Sequence, residues 1–174
     1  MSHEELCERA LRWLRGTRRC NPVFSRCASC SEIPDAIGWS SAHGWRGSTV
    51  IECKTSLSDF HADKKKRYSY RHKEFGHLYR GRDWRAPKLK EMCEYERVEN
   101  ALMGDYRIYF CLPGVITPAM VEEHAPDHGL LYADGRKMRI VRPAPRRELV
   151  NRECEIWFLR FAIINGKENM GIPH

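Results

Sequence analysis

The run of residues 48–56, STVIECKTS, constrains the fold most, because it has the pattern of a strand whose second half carries charge. Val50 and Ile51 are β-branched, apolar residues that are typical of a buried strand. Two shorter strand-like runs, residues 22–27 and 33–40, precede it, and a turn with two glycines separates it from the nearer one. Because the three runs are close together along the chain, we predict an antiparallel meander.

Patterns on both sides of this meander predict helices and further strands. Residues 2–16 have the apolar spacing of a helix that faces a core, with Ser2 as N-cap and Glu5 as its capping-box partner. Helices are predicted at 57–70, 91–103, 118–124 and 147–163, and strands at 106–112, 129–133 and 138–141. The order indicates an α/β fold with a mixed central sheet flanked by helices.

Composition limits what such a chain binds and where it works. The 174 residues suit one domain, and 42% hydrophobic residues are enough for a core. A net charge of +7 favours a polyanionic partner, of which nucleic acid is the commonest. No run of 18 apolar residues occurs and the N-terminus is charged, so we expect no membrane span, no signal peptide and a cytoplasmic location.

Asp35, Glu52 and Lys54 form the constellation that carries chemistry. Residues two apart on a strand face the same side, so Glu52 and Lys54 project together while Cys53 points into the opposite face. Asp35 lies on the neighbouring strand and can approach Glu52 where the two strands diverge. Facing carboxylates repel unless a cation lies between them, and an oxygen-rich site suits Mg²⁺ or Mn²⁺. Lys54 would then hold the attacking water or the phosphoryl charge during phosphodiester hydrolysis.

The same residues also have a structural interpretation. A glutamate and a lysine two apart on a strand are usually a solvated face, and short patterns of this kind occur by chance. Three features favour the functional interpretation. Ile33 and Ile37 bracket Asp35, apolar residues stand directly before Glu52, and a basic helix is predicted after Lys54.

The runs IPDAIGW and STVIECKTSLSDFHADKKK resemble the core of the PD-(D/E)XK, or restriction-endonuclease-like, nuclease superfamily. Together with GDYRIYFCLP and GLLYADGRKMRIVRPAP, they are similar to the MmcB-like DNA-repair-associated group and related small phage proteins. The resemblance covers residues 2–145, and residues 52–65 are its specific part. It implies an αβββαβ core, with a nuclease domain at 1–145 followed by a C-terminal helix and tail at 146–174.

The resemblance implies a Mg²⁺- or Mn²⁺-dependent endonuclease that acts on DNA in repair or phage biology. Asp35, Glu52 and the backbone carbonyl of Cys53 would bind the metal, and Lys54 would be the catalytic lysine. The alternative is a non-catalytic nucleic-acid-binding or protein-interaction module on the same fold. A chain of this size that makes double-strand cuts would be expected to form a homodimer.

A glutamate from the first helix often joins sites of this family. Glu5 is our choice for that role, with Glu4 and Glu8 as rivals, and Glu32 is another acidic contributor. The alternative is that Glu5 has only a structural role in the capping box, and we weigh the two roles equally.

The stretch 68–103 is a basic and aromatic insertion relative to the small relatives. It suits a surface that grips phosphates and stacks bases, and a solvated loop is the alternative. The residues predicted to contact nucleic acid are Lys64, Lys65, Lys66, Arg67, Arg71 and Lys73.

Two smaller signals remain open. Cys20, Cys27 and Cys30 resemble part of a structural zinc site, with Cys7, His43 or a distant residue as the fourth ligand, but thiols that are merely close are favoured. Asp59 can cap the helix after the active strand or contact Lys54, and Asp63 can orient that helix or touch DNA.

Overall fold

A six-stranded mixed sheet forms the centre of the protein, and a separate three-stranded sheet lies in the insertion. The structure is a computed structural model that describes residues 1–25, 32–44, 46–63, 68–76, 78–80, 94–99 and 101–164. Its elements are α1 (His3–Gly16), β1 (Val23–Phe24), β2 (Ala36–Ser40), β3 (Gly47–Lys54), α2 (Leu57–Asp63), β4 (Tyr68–His72), β5 (Leu78–Arg80), β6 (Tyr95–Glu99), β7 (Tyr106–Cys111), α3 (Pro118–His124), β8 (His128–Asp134), β9 (Lys137–Arg142) and α4 (Arg152–Ile164).

The large sheet has the strand order β1-β2-β3-β7-β8-β9. The first three strands form an antiparallel meander, as predicted, and β9 returns antiparallel to β8. The pairs β3–β7 and β7–β8 are parallel. Helix α1 packs on one face of the sheet, and α2, α3 and α4 pack on the other. The prediction of a mixed sheet flanked by helices is therefore confirmed.

Local signals explain the ends of several elements. Ser2 caps α1 and forms the predicted capping box with Glu5, and Thr117 caps α3 with Pro118 at its first position. Helix α4 begins at Arg152 rather than at 147, because Asn151 accepts a hydrogen bond from the Cys154 N–H and starts the helix there. The division of the chain at residue 145 stays a prediction.

Two predictions in the insertion are wrong where the structure describes it. Tyr68–His72 is strand β4 rather than the end of a helix, and Tyr95–Glu99 is strand β6 rather than helix. Strand β4 pairs antiparallel with β5 on one side and β6 on the other. Aromatic and polar residues alternate over Tyr68–Arg71, whereas the run Tyr95–Glu99 has no alternation. The conformation of such short runs depends on their partner strands.

No helix in the described part of the chain is long and apolar enough to cross a membrane.

Candidate active site

The C-terminal end of β3 extends beyond its neighbour β2. The β2–β3 ladder ends at the pair Ala36 and Ile51, so the N–H of Cys53 has no strand partner on that side. Asp35, the residue directly before β2, fills this position, and its Oδ2 accepts the Cys53 N–H at 2.8 Å. In an extended strand, the N–H and C=O of one residue point to the same side. The carbonyl of Cys53 therefore faces the same edge as Asp35.

Cys53 and Glu52 lie on opposite faces of the sheet, as the alternation predicts. The Cys53 side chain is fully buried in the core beneath α1. A hydrogen bond with the Cys7 thiol and burial both raise the pKa of Cys53, so the thiol stays protonated and acts as a small core residue.

Glu52 is held from the neighbouring parallel strand. The Nη2 of Arg107, on β7, donates to Glu52 Oε1 at 3.0 Å. Burial is the largest influence on this carboxyl and raises its pKa to about 8, while Arg107 opposes the increase. The nearby carboxylates of Asp63 and Asp35 add to the increase. Without a bound cation, Glu52 therefore takes up a proton at a higher pH than an exposed glutamate does.

Arg107 is the centre of a buried polar network. Its Nη1 donates to Glu32 Oε1 and to the carbonyl of Met103, and its Nε donates to His128 Nε2 at 3.1 Å. His128 Nδ1 lies 2.8 Å from Asp127 Oδ1. Burial would lower the pKa of Arg107, but the two glutamates raise it overall, so the guanidinium stays charged. This fixed cation determines the position of Glu52.

Lys54 lies on the same face as Glu52 and contacts helix α2. Its Nζ is 3.1 Å from Asp63 Oδ1 and 3.8 Å from Asp59 Oδ1, so one of the two roles considered for Asp59, the contact with Lys54, is present. The side chain is only 4% exposed. Burial alone would lower the pKa of Lys54, but the surrounding carboxylates, with Glu52 first among them, raise it overall. The amine is therefore an ammonium and cannot serve as a base at neutral pH.

Helix α1 contributes a histidine to the site rather than the glutamate we chose. Glu5 is in the capping box, where its Oε2 accepts the Ser2 N–H at 2.6 Å. His3 Nε2 lies 3.3 Å from Asp35 Oδ2, and its Nδ1 lies 3.4 Å from the Cys7 thiol. One ligand atom from each of His3, Cys7 and Asp35 lies within 4.8 Å of the others. This group suits a transition metal, whereas Asp35, Glu52 and the Cys53 carbonyl offer only the oxygen ligands that Mg²⁺ and Mn²⁺ prefer.

The remaining predicted residues are only partly described. Lys64, Lys65, Lys66 and Arg67 lie outside the described residues, as do Cys27 and Cys30 of the predicted zinc site. Arg71 lies on β4 and pairs with Glu96 at 3.3 Å, and Lys73 follows that strand. Cys20 is buried, and burial raises the pKa of its thiol to about 11.

Asp35, Glu52, Cys53 and Lys54 are thus brought together at one end of β3. Arg107 and His3 were not singled out from the sequence. Arg107 stands in the apolar run YRIYFC, where a buried charge is itself a sign of a partner. His3 and Cys7 are four residues apart on a predicted helix, which places them on one face.

Comparisons with known proteins bear on the fold alone. No protein-family model matches the chain, and no curated protein matches it. Among solved structures, the chain is similar to SPO1766, a protein of unknown function from Silicibacter pomeroyi. The two share 21% sequence identity with a TM-score of 0.52, over 95% of this chain and 87% of that one.

Proposed function

We propose that this protein is a metal-dependent nuclease that hydrolyses phosphodiester bonds of DNA, with its active site at the C-terminal end of β3. The hydrogen bond from the Cys53 N–H to Asp35 carries the proposal, because it sets the Asp35 carboxylate beside the segment from Glu52 to Lys54. The coincidence of two carboxylates and a buried ammonium at the end of one strand is unusual for a solvated face.

The donor set fits a hard divalent cation. Arg107 holds Glu52 through Oε1, which leaves Oε2 without a hydrogen bond to the described residues. The Cys53 carbonyl faces the edge that Asp35 occupies. Two carboxylates and one carbonyl are ligands that Mg²⁺ and Mn²⁺ take together with several waters. The raised pKa of Glu52 agrees with a position where a cation would replace a proton.

Each residue of the site would have a separate role in hydrolysis. A bound Mg²⁺ would supply a water of lowered pKa and neutralise charge on a phosphate oxygen. Lys54 stays protonated and would stabilise the negative charge that develops on the phosphoryl group. Arg107 would hold Glu52 in position, and Asp63 would hold Lys54. The imidazole of His3, on α1, lies against Asp35 at the edge of the site.

The order of elements supports the same family of folds. If β4, β5 and β6 are set aside, one helix, a three-stranded meander, a second helix and a strand parallel to β3 follow one another. This is the αβββαβ order expected of a restriction-endonuclease-like core. The three strands β4, β5 and β6 stand between α2 and β7 as an addition to that order. Fold by itself does not establish activity, so the proposal depends on the site.

The test is cleavage of labelled single- and double-stranded DNA and RNA with Mg²⁺, with Mn²⁺ and with EDTA. Wild type would be compared with Glu52→Gln and Lys54→Ala, and with Glu148→Gln as a control at an exposed glutamate. Cleavage should require metal and fall by at least a hundredfold in both site variants, since Glu52→Gln weakens the metal site and Lys54→Ala removes the charge that would stabilise the phosphoryl group. The control should cut like wild type.

A parallel measurement of Mn²⁺ binding separates catalysis from folding. Glu52→Gln should lose Mn²⁺ affinity while keeping a cooperative unfolding transition. Absence of cutting on every substrate, with nucleic-acid binding intact in both site variants, would contradict the nuclease and favour a non-catalytic binding module. Partner capture that survives Glu52→Gln, without nucleic-acid binding, would favour an interaction protein.

A further inference from the structure

A second feature lies on the α1 face of the sheet, in a groove between α1 and the β8–β9 hairpin. The groove has a volume of about 580 Å³. Its lining residues are Arg9, Arg12, Trp13, Thr17, Gly135, Arg136 and Met138. The lining contains three arginines and no acidic residue.

No carboxylate of the described residues neutralises the three guanidinium groups. Arg12 and Arg136 are exposed, and within the described part of the chain neither makes an ion pair. Arg9 is half-buried, and its Nη2 donates to the carbonyl of Lys137 at 2.8 Å. The acidic residue next to the turn, Asp134, pairs with Arg139 at 3.7 Å. The groove therefore presents positive charge that is available to an external anion.

The groove is also held in shape before any ligand arrives. The Arg9 hydrogen bond ties α1 to the β8–β9 hairpin, and Trp13 is 6% exposed and packed in the core below. The guanidinium group of Arg9, which this hydrogen bond already orients, loses little freedom when it binds phosphate. The planar donors of all three arginines match phosphate oxygens in pairs. A rigid wall with arginines on both sides suits a phosphodiester backbone.

We propose that this groove, through Arg9, Arg12 and Arg136, binds the nucleic-acid backbone several nucleotides away from the active site. The inference rests on the proposed function in taking nucleic acid as the partner. His3, which contacts Asp35, and Arg12 lie on the same helix. Nine residues of helix span about 14 Å, which corresponds to roughly four base pairs of B-form DNA.

The groove suits nucleic acid better than a membrane surface. Its apolar lining consists of the buried Trp13 and the partly exposed Met138, so no large apolar side chain protrudes from it to enter a bilayer. A concave wall also cannot lie flat against lipid headgroups, whereas a phosphate chain can enter it.

The experiment measures binding of labelled single strands and duplexes in EDTA, as a function of salt. It compares wild type with Arg12→Gln, Arg136→Gln and the double variant, which remove charge and keep hydrogen-bonding ability. Arg160→Gln is the matched control, since Arg160 is an exposed arginine on α4 at the opposite face of the sheet. Each groove variant should reduce the slope of log affinity against log salt by about 1, and the double variant by about 2. The control should leave the slope unchanged.

The outcomes also separate this inference from the nuclease. Loss of binding in the groove variants, with no cutting by wild type on any substrate, supports the groove and contradicts the nuclease. Cutting that requires metal, with an unchanged slope in the double variant, contradicts the groove and leaves the nuclease standing. A third outcome is that wild type binds phosphatidylserine vesicles, the double variant does not, and both bind nucleic acid equally. This outcome contradicts nucleic acid as the partner of the groove.

Discussion

Glu52 and Lys54 show how two neighbours on one strand acquire different protonation behaviour. Burial raises the pKa of Glu52 to about 8, whereas the carboxylates around Lys54 raise its pKa and keep it charged. Asp63 touches Lys54 directly, and Arg107 touches Glu52. The site therefore holds one group that titrates near neutral pH beside one that does not.

The raised pKa of Glu52 predicts that metal binding depends on pH. Below about pH 8 a cation must displace the proton, so Mn²⁺ affinity should rise by up to tenfold per pH unit and level off above about 8. Calorimetry in buffers of different ionisation enthalpy should count nearly one proton released per metal at pH 7. A release near zero would contradict the protonated Glu52.

Glu52 should also make the stability of the metal-free protein depend on pH, and the direction follows from its raised pKa. Between about pH 4.5 and 8 the folded chain holds a proton that the unfolded chain has released, so stability should fall as the pH rises through this range. Glu52→Gln should remove this decrease, as measured by urea unfolding of both proteins across the range. An equal decrease in the variant would place the titrating group elsewhere.

Breaking the pair of Lys54 and Asp63 should be costly, because removal of one partner leaves a buried charge with less compensation. Asp63→Asn and Lys54→Met should each destabilise the fold by about 1–3 kcal/mol, and the double variant by less than the sum. A double-mutant cycle from urea unfolding measures the difference. Strict additivity would show that the 3.1 Å contact contributes no coupling.

Strand β3 is anchored at both ends by an aspartate that precedes a neighbouring strand. Asp35 accepts the Cys53 N–H at one end, and Asp105 accepts the Ser48 N–H at 2.8 Å at the other. Arg152 of α4 also holds Asp105, with a distance of 2.6 Å to Oδ1. The element that carries the site is thus fixed in register by side chains as well as by its ladders.

Gly47, at the start of β3, lies so close to Asp105 that there is no space for a side chain at this position. Its φ of +122° disfavours other residues, and a Cβ there would overlap the Asp105 carboxylate. Gly47→Ala should destabilise the protein by about 2–3 kcal/mol in urea unfolding. Gly16→Ala is the matched control, because no atom lies within 4 Å of its added Cβ and we expect it to be neutral or stabilising.

Local patterns predicted most of the elements that carry the site. The capping box of Ser2 and Glu5 marked α1, and the alternation in β3 put Glu52 and Lys54 on one face. Arg107 could not be assigned from the sequence, because its partner Glu52 is 55 residues away and joins it only through the β3–β7 pairing. The strand Tyr95–Glu99 was not predicted for a related reason, since its extended conformation depends on pairing with β4.

At the scale of the whole molecule, the proposed nuclease would have one active site in each chain. One site cuts one strand, so double-strand cuts should require two chains. Sedimentation at the working concentration should then show a dimer whenever paired cuts occur, and a monomer should only nick. A monomer that still makes paired cuts would contradict this expectation.

The parallel pairing of β3 with β7 also determines when, during synthesis of the chain, the candidate site is completed. Asp35, Glu52 and Lys54 are synthesised long before Arg107, and 55 residues separate Glu52 from Arg107, so pairing of β3 with β7 closes a long loop. Until it forms, Glu52 has no guanidinium beside it and remains hydrated, as does Lys54 while β3 lacks its inner neighbour. Non-local parallel contacts of this kind form late. The proposed nuclease would therefore gain its activity only when folding is finished, and an incomplete chain would leave the nucleic acid around the ribosome intact.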